Sequence, residues 1–202
     1  CNFIRSINRR SEAIMKNLIF VVCFGFLLLT VSTALSAESK DDSTLPELTL
    51  TAPENSEHLE YLGLTVQPGE QFKLTDIQAD ILIIELFSMY CPYCQKEAPL
   101  VNEFYELARQ KENTGVKVKI IGLGASNSQF EVEHFATTYE VSFPLFPDKD
   151  MSMYKALGGD GTPGFVGFKL KDSNPPVNVL RNSGGFYSAE DFYQDILANS
   201  GL

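Results

Sequence analysis

The 202-residue sequence has no tryptophan, only two histidines and four cysteines, and is short of positive charge. Sixteen Lys and Arg stand against 26 Asp and Glu, a formal net charge of −10. Phosphate backbones are bound by basic surfaces, so nucleic acid is excluded as an expected partner. His58 and His134 are too few for a histidine-built metal cluster. Neither sits in a recognisable cysteine-protease signature, and both are expected at the surface. Internal repeats and low-complexity tracts are also missing, which argues against repeat arrays and disorder. With a single long apolar run, a multi-span membrane protein is excluded as well. What remains, 44% apolar and 21% charged, is an ordinary globular composition able to bury one sizeable core.

That apolar run lies near the start. Met15-Lys16-Asn17 leads into Leu18 to Val31, and small residues follow from Ser32 to Ala37. A positive charge, a short apolar stretch and a small-x-small end make a secretory signal, with Ala34 and Ser36 before a cut at Ala37. The run is shorter than the roughly 20 residues of a full span. A retained membrane tether through residues 17–35 is the alternative. Residues 1–36 therefore read as upstream residues and signal peptide, 37–46 as an acidic tether, and 47–202 as one domain. Such a protein is expected to be exported, to the periplasm or the outer face of a bacterial cytoplasmic membrane. Cys1 and Cys23 fall in the removed part, leaving Cys91 and Cys94. Two cysteines make neither a disulfide-stapled scaffold nor a four-cysteine zinc site.

Leu48-Thr49-Leu50 and Tyr61-Leu62-Gly63-Leu64 read as short strands and turns, and Phe72-Lys73-Leu74 as a strand entering the domain. Ile81 to Phe87 is a β-branched, almost wholly apolar run, as a buried central strand requires. Pro92 opens a helix at a position where its missing N–H costs nothing, and the helical spacing continues to Gly115. Val116 to Ile121 predicts a second strand and Val132 to Tyr139 a helix. A short strand at Phe143–Phe146 and a short helix at Met151–Leu157 follow. Phe165–Leu170 and Val177–Leu180 predict a hairpin, and Ser188 with Asp191 the capping box of a last helix. Strands alternating with helices indicate an α/β fold with a mixed central sheet flanked by helices.

Cys91-Pro92-Tyr93-Cys94 sits where the central strand ends and a helix begins. A thiolate there meets unpaired N–H groups and the positive end of the helix dipole, which lower its pKa. Cys91 is the expected nucleophile. It attacks a disulfide, and Cys94, one turn further in, resolves the mixed disulfide. Glu85, six residues before Cys91 in the apolar strand, should have a raised pKa and move the proton of Cys94. Pro99 should kink the helix. Thr162-Pro163 follows a glycine-rich loop and precedes a strand, and a cis bond there would leave Thr162 backbone groups free to pair with a substrate. Tyr90, Pro92 and Tyr93, around the nucleophile, are expected to touch that substrate. Gly122-Leu123-Gly124-Ala125-Ser126-Asn127 lacks the third glycine of a dinucleotide site and reads as a turn.

Glu85, the Cys91–Cys94 motif, Pro99 and Thr162-Pro163 together resemble the thioredoxin superfamily. The 41-residue separation of Gly122 and Pro163, the leader and Phe72–Ile77 are similar to its TlpA/ResA-like branch of extracytoplasmic thiol–disulfide oxidoreductases. The resemblance implies a thioredoxin fold with an N-terminal strand extension and an inserted helix–strand before the proline loop. It implies that Pro163 is cis and lies beside the cysteines. It also implies protein disulfides or dithiols as substrates, a membrane thiol–disulfide electron donor, and no cofactor beyond the Cys91–Cys94 pair.

Three alternatives carry weight. The Pro-Tyr dipeptide also suits a periplasmic disulfide donor, which reverses the electron flow. A thiol peroxidase would place a hydroxyl where Ser88 stands, yet its proline position holds Ile84. A non-catalytic binding module would have no use for the acid and both thiols.

Overall fold

The computed structural model describes residues 43–202, so the signal, the tether alternative and residues 37–42 lie outside the described residues. The centre is β3 (Ile81–Phe87), buried at all seven positions. Parallel β4 (Val118–Ala125) lies on one side and antiparallel β6 (Gly164–Lys169) on the other. The edges are β5 (Leu145–Asp148), parallel to β4, and β7 (Val177–Ser183), antiparallel to β6. The mixed sheet has the order β5-β4-β3-β6-β7, and β1 (Thr49–Thr51) with β2 (Gln71–Lys73) forms a separate antiparallel pair.

Both faces of β3 are covered, which is why its sequence does not alternate. Leu82, Ile84 and Leu86 join a core with Leu50, Phe72 and Leu62 of the N-terminal extension. Ile81 and Ile83 join a second core with Val101 and Phe104 of α2 (Pro92–Lys111) and Phe192 and Ile196 of α5 (Ala189–Ser200). Successive side chains of a strand point to opposite faces, so Glu85 belongs with Ile81 and Ile83 and faces α2. Phe87 on the same side packs with Cys94, Ala98 and with Val132 and Phe135 of α3 (Gln129–Thr138). The short α4 (Ser152–Ala156) precedes the Thr162-Pro163 loop, and α2 runs unbroken through Pro99.

Tyr61–Leu64 is not a strand. Ser56–Leu62 forms helix α1, started by the Asn55 side chain, which accepts the Glu57 N–H at 2.8 Å, and ended by Gly63 at φ 69°. Seven residues are too few for a helical period to declare itself. Pairing between β4 and β5 begins only at Gly122. The outward amide of Ile120 is matched instead by the Tyr61 hydroxyl, which accepts its N–H at 2.8 Å and donates to its C=O at 3.2 Å. A helix side chain thus completes a strand edge that would otherwise bury unpaired backbone groups.

Gly122–Ala125 is strand rather than turn. A Cβ at Gly122 would stand 2.3 Å from Leu145 Cδ2 and one at Gly124 2.5 Å from Val132 Cγ1. The glycines are therefore close-approach positions for β5 and α3. The domain also starts earlier than composition suggests. Asn178 donates its N–H to the Ser43 carbonyl at 2.7 Å, Leu45 donates to Pro176 at 2.9 Å, and Leu45 is buried. His58 is half-buried instead of exposed, with a hydrogen bond to the Ser142 backbone. His134 is exposed and stacks on Phe130.

Candidate active site

The site forms where β3 delivers the chain to α2. Cys91 is the N-cap of α2, Pro92 its first residue, and the Cys94 N–H points at Cys91 Sγ from 3.4 Å. Across the gap, the Cys91 thiol donates to the Thr162 carbonyl oxygen at 3.2 Å. The Thr162-Pro163 bond is cis, and Pro163 is buried beneath the loop. Both sulfurs are free thiols, Cys91 partly exposed and Cys94 fully buried.

Their environments push them apart. Burial raises the Cys91 thiol, but hydrogen bonding from the Thr162 side chain and the Cys94 and Tyr93 backbone outweighs it, and the result lies below the ordinary value. For Cys94, burial dominates and pushes it well up. The Ser88 backbone amide opposes that shift, while the neighbouring Cys91 and Glu85 add to it. A cleft residue that ionises early beside a buried one that ionises late is an asymmetric dithiol.

Glu85 is 2% exposed, and its Oε1 has no hydrogen-bond partner among the described residues. Burial, with help from the charge of Glu97, raises its pKa to about 8. It can therefore hold or release a proton near neutrality.

Glu97 was not singled out by sequence reading. It lies one helical turn after Cys94, a spacing that puts both on one face of α2, and this was the available signal. Its Oε1 accepts the Phe186 N–H at 2.7 Å. The loop comes so close that a Cβ on Gly185 would stand 2.3 Å from the Glu97 carboxylate. Phe186 is held in turn by stacking on Phe192, with ring centres 4.2 Å apart.

Of the residues expected to touch substrate, Tyr93 and Pro92 are exposed, and the Thr162 carbonyl faces Cys91. Tyr90 is 65% exposed, and its hydroxyl donates to the Glu131 carboxylate. Glu131 also accepts from Ser128 and is held down to about 2, first by these Ser128 bonds and then by Tyr90. Among the described residues no group of three or more His, Cys, Asp or Glu is placed to hold a metal ion.

The profile of the AhpC/TSA family matches residues 46–172, which include β3, the dithiol and the Thr162-Pro163 loop. The chain belongs to the AhpC/TSA family. Its curated relatives include the thiol-disulfide oxidoreductase ResA of Bacillus thuringiensis, 29% identical over 90 residues. That match covers 45% of this chain and 49% of the relative. The ResA of Geobacillus thermodenitrificans is 22% identical over 153 residues, covering 74% and 77%. The chain thus spans about half the length of the curated Bacillus relatives it matches.

Solved structures agree on the fold. The thioredoxin domain of a thiol-disulfide oxidoreductase from Bacteroides vulgatus superposes with a TM-score of 0.55 at 15% identity, over 78% of this chain and 95% of that one. StoA of Bacillus subtilis gives 0.52 at 18% identity, over 75% and 98%. A secreted thiol-disulfide isomerase from Corynebacterium glutamicum gives 0.57 at 14%, over 78% and 86%. This AhpC/TSA chain has the thioredoxin fold expected from its motifs, with β1 as the N-terminal strand extension and α3–β5 as the helix–strand inserted before the proline loop.

Proposed function

We propose that this protein is an exported thiol–disulfide oxidoreductase that reduces disulfides in other proteins. The observation that carries the reading is the asymmetry of the dithiol: an accessible thiol of lowered pKa beside a buried one of raised pKa. In the first step the Cys91 thiolate attacks one sulfur of a substrate disulfide. A Cys91–substrate S–S bond forms, the substrate S–S bond breaks, and the departing thiolate takes a proton. In the second, Glu85 accepts the proton of Cys94 and the new thiolate attacks Cys91 Sγ. The second substrate thiol leaves, and Cys91 and Cys94 are joined as a disulfide. Two electrons have passed to the substrate through sulfur alone, with no metal or organic cofactor.

The backbone of Thr162 would pair with the substrate chain beside Pro163, with Tyr90, Pro92 and Tyr93 as its rim. Cys91 already uses the Thr162 carbonyl as a hydrogen-bond acceptor, so an approaching chain would displace that bond. The oxidised pair would be returned to dithiol by a membrane thiol donor. Export rests on the leader, outside the described residues, and two structural neighbours described as secreted support it. Among the described residues no helix is long and apolar enough to cross a membrane.

The test is a redox titration of the full chain with Cys1→Ser and Cys23→Ser, in graded thiol/disulfide buffers, reading alkylated thiols by mass. A potential near the roughly −270 mV of thioredoxin supports a reductase. One near the roughly −120 mV of DsbA makes the protein a disulfide donor and reverses the direction.

A further inference from the structure

We infer that Asn127 is a positioning residue for the resolving step, setting the Ser88–Met89 turn against the sulfur of Cys94. The inference rests on the dithiol reading above and adds a residue to it. Asn127 lies between β4 and α3, 38 residues from the turn it holds, and is completely buried. Its Oδ1 accepts the Met89 N–H at 2.8 Å, and its Nδ2 donates to Ser88 Oγ at 3.4 Å. The other side of Met89 is held as well, because Gln95 of α2 donates Nε2–H to the Met89 carbonyl at 2.8 Å. Ser88 in turn accepts the Cys91 N–H at 3.0 Å. The bonds from Gln95 and Cys91 tie the strand end to the helix start, and Asn127 braces the same turn from outside both elements.

The consequence falls on one sulfur more than the other. Met89 packs against the cluster that contains Cys94 and Phe87. The Ser88 backbone amide is the group that favours the Cys94 thiolate against its burial. The donors that favour the Cys91 thiolate come from Thr162 and the first turn of α2, and none passes through Ser88 or Met89. Loosening the turn should therefore slow attack by Cys94 on the mixed disulfide and leave attack by Cys91 on the substrate nearly as fast.

The chemistry separates the two events. With the aromatic disulfide dithiobis(nitrobenzoate) below one equivalent, Cys91 attack releases one coloured thiolate and leaves a mixed disulfide. Cys94 attack then releases the second and closes the Cys91–Cys94 bond. The experiment is stopped-flow absorbance on the full chain with Cys1→Ser and Cys23→Ser, with and without Asn127→Ala. The expected result is a first phase within about twofold of the parent and a second phase slowed about fivefold, the worth of the short Met89 hydrogen bond, the longer Ser88 contact adding little. A second phase that is unchanged, or that slows in step with the first, overturns the inference.

Gln95→Met, which removes the opposite tether from a partly exposed helix position, is the companion variant. It should slow the second phase by about threefold and carries the test alone if Asn127→Ala fails to fold. A parent protein showing no second phase would sink the dithiol reading itself. A two-phase parent matched by both variants would sink only the role of Asn127.

Discussion

Cys91 Sγ lies 3.2 Å from the carbonyl oxygen of Thr162, a residue 71 positions further along the chain. Cys91 is thus held between a helix N-terminus and a loop from the other half of the sheet. Cys94, three residues on, is buried beneath it. Brief treatment with iodoacetamide at pH 7 should alkylate Cys91 and spare Cys94, read by peptide mass. Cys91→Ser should lower dithiothreitol-dependent insulin reduction by more than about a hundredfold. Cys94→Ser should instead accumulate a mixed disulfide with substrate. Activity retained without Cys91 would remove the basis of the mechanism.

The buried Glu85 carboxyl couples stability to pH. Its pKa rises from 4.5 to about 8 on folding. Between those values the folded state binds more protons than the unfolded one, so stability falls as pH rises through that window. Glu85→Gln should flatten the dependence and raise stability at pH 8 by on the order of 4 kcal/mol, measured by urea unfolding across pH. It should also erase the rise of the resolution rate with a midpoint near pH 8. A Gln variant with the parent's pH profile would take Glu85 out of the proton path.

Tyr61 tests the fold apart from the chemistry. Tyr61→Phe leaves the Ile120 N–H, matched at 2.8 Å in the parent, without its partner. The expected cost is about 1–3 kcal/mol in urea unfolding. Cys91 alkylation rates should not change, because Tyr61 packs against β4 and Tyr105, away from the thiols.

Gly122 is a packing position, and the smallest side chain suffices to show it. In Gly122→Ala the new Cβ would meet Leu145 Cδ2 at 2.3 Å and a Phe87 ring carbon at 3.2 Å. A loss of about 1–3 kcal/mol is expected, as for other overpacked cores. A variant as stable as the parent would mean that the end of the Leu145 side chain swings aside freely.

Much of the site was legible because its parts are local. The run from Ile81 to Phe87 reads as a buried strand, Pro92 as a helix start and the cysteines as a pair between them. One turn of helix then brings both sulfurs together without help from distant chain. Glu85 was legible for a related reason, since a carboxylate in an apolar strand is conspicuous whatever packs on it. The α1 helix was not legible. Its seven residues are anchored by tertiary contacts, the burial of Leu62 and Tyr61 meeting Ile120, a contact between residues 59 apart. The Gly122–Ala125 part of the stretch misled, although Ser126 does turn, because a glycine needed for close packing looks, in sequence, like one needed for a turn.

The sequence by itself determined the cysteine pair, the carboxylate behind it and the order of strand and helix that sets their spacing. These follow from backbone geometry over about ten residues, where the pleat and the helical turn leave little freedom. Only the tertiary structure decided what surrounds them. Thr162 at the nucleophile, Glu97 adding charge beside Glu85 and Asn127 holding the Ser88–Met89 turn all depend on segments brought together by the sheet. Burial and hydrogen bonding set a thiol's pKa, and both are properties of the packed molecule. The same four residues, Cys-Pro-Tyr-Cys, could therefore have been tuned either way, and the fold around them made one thiol early and the other late.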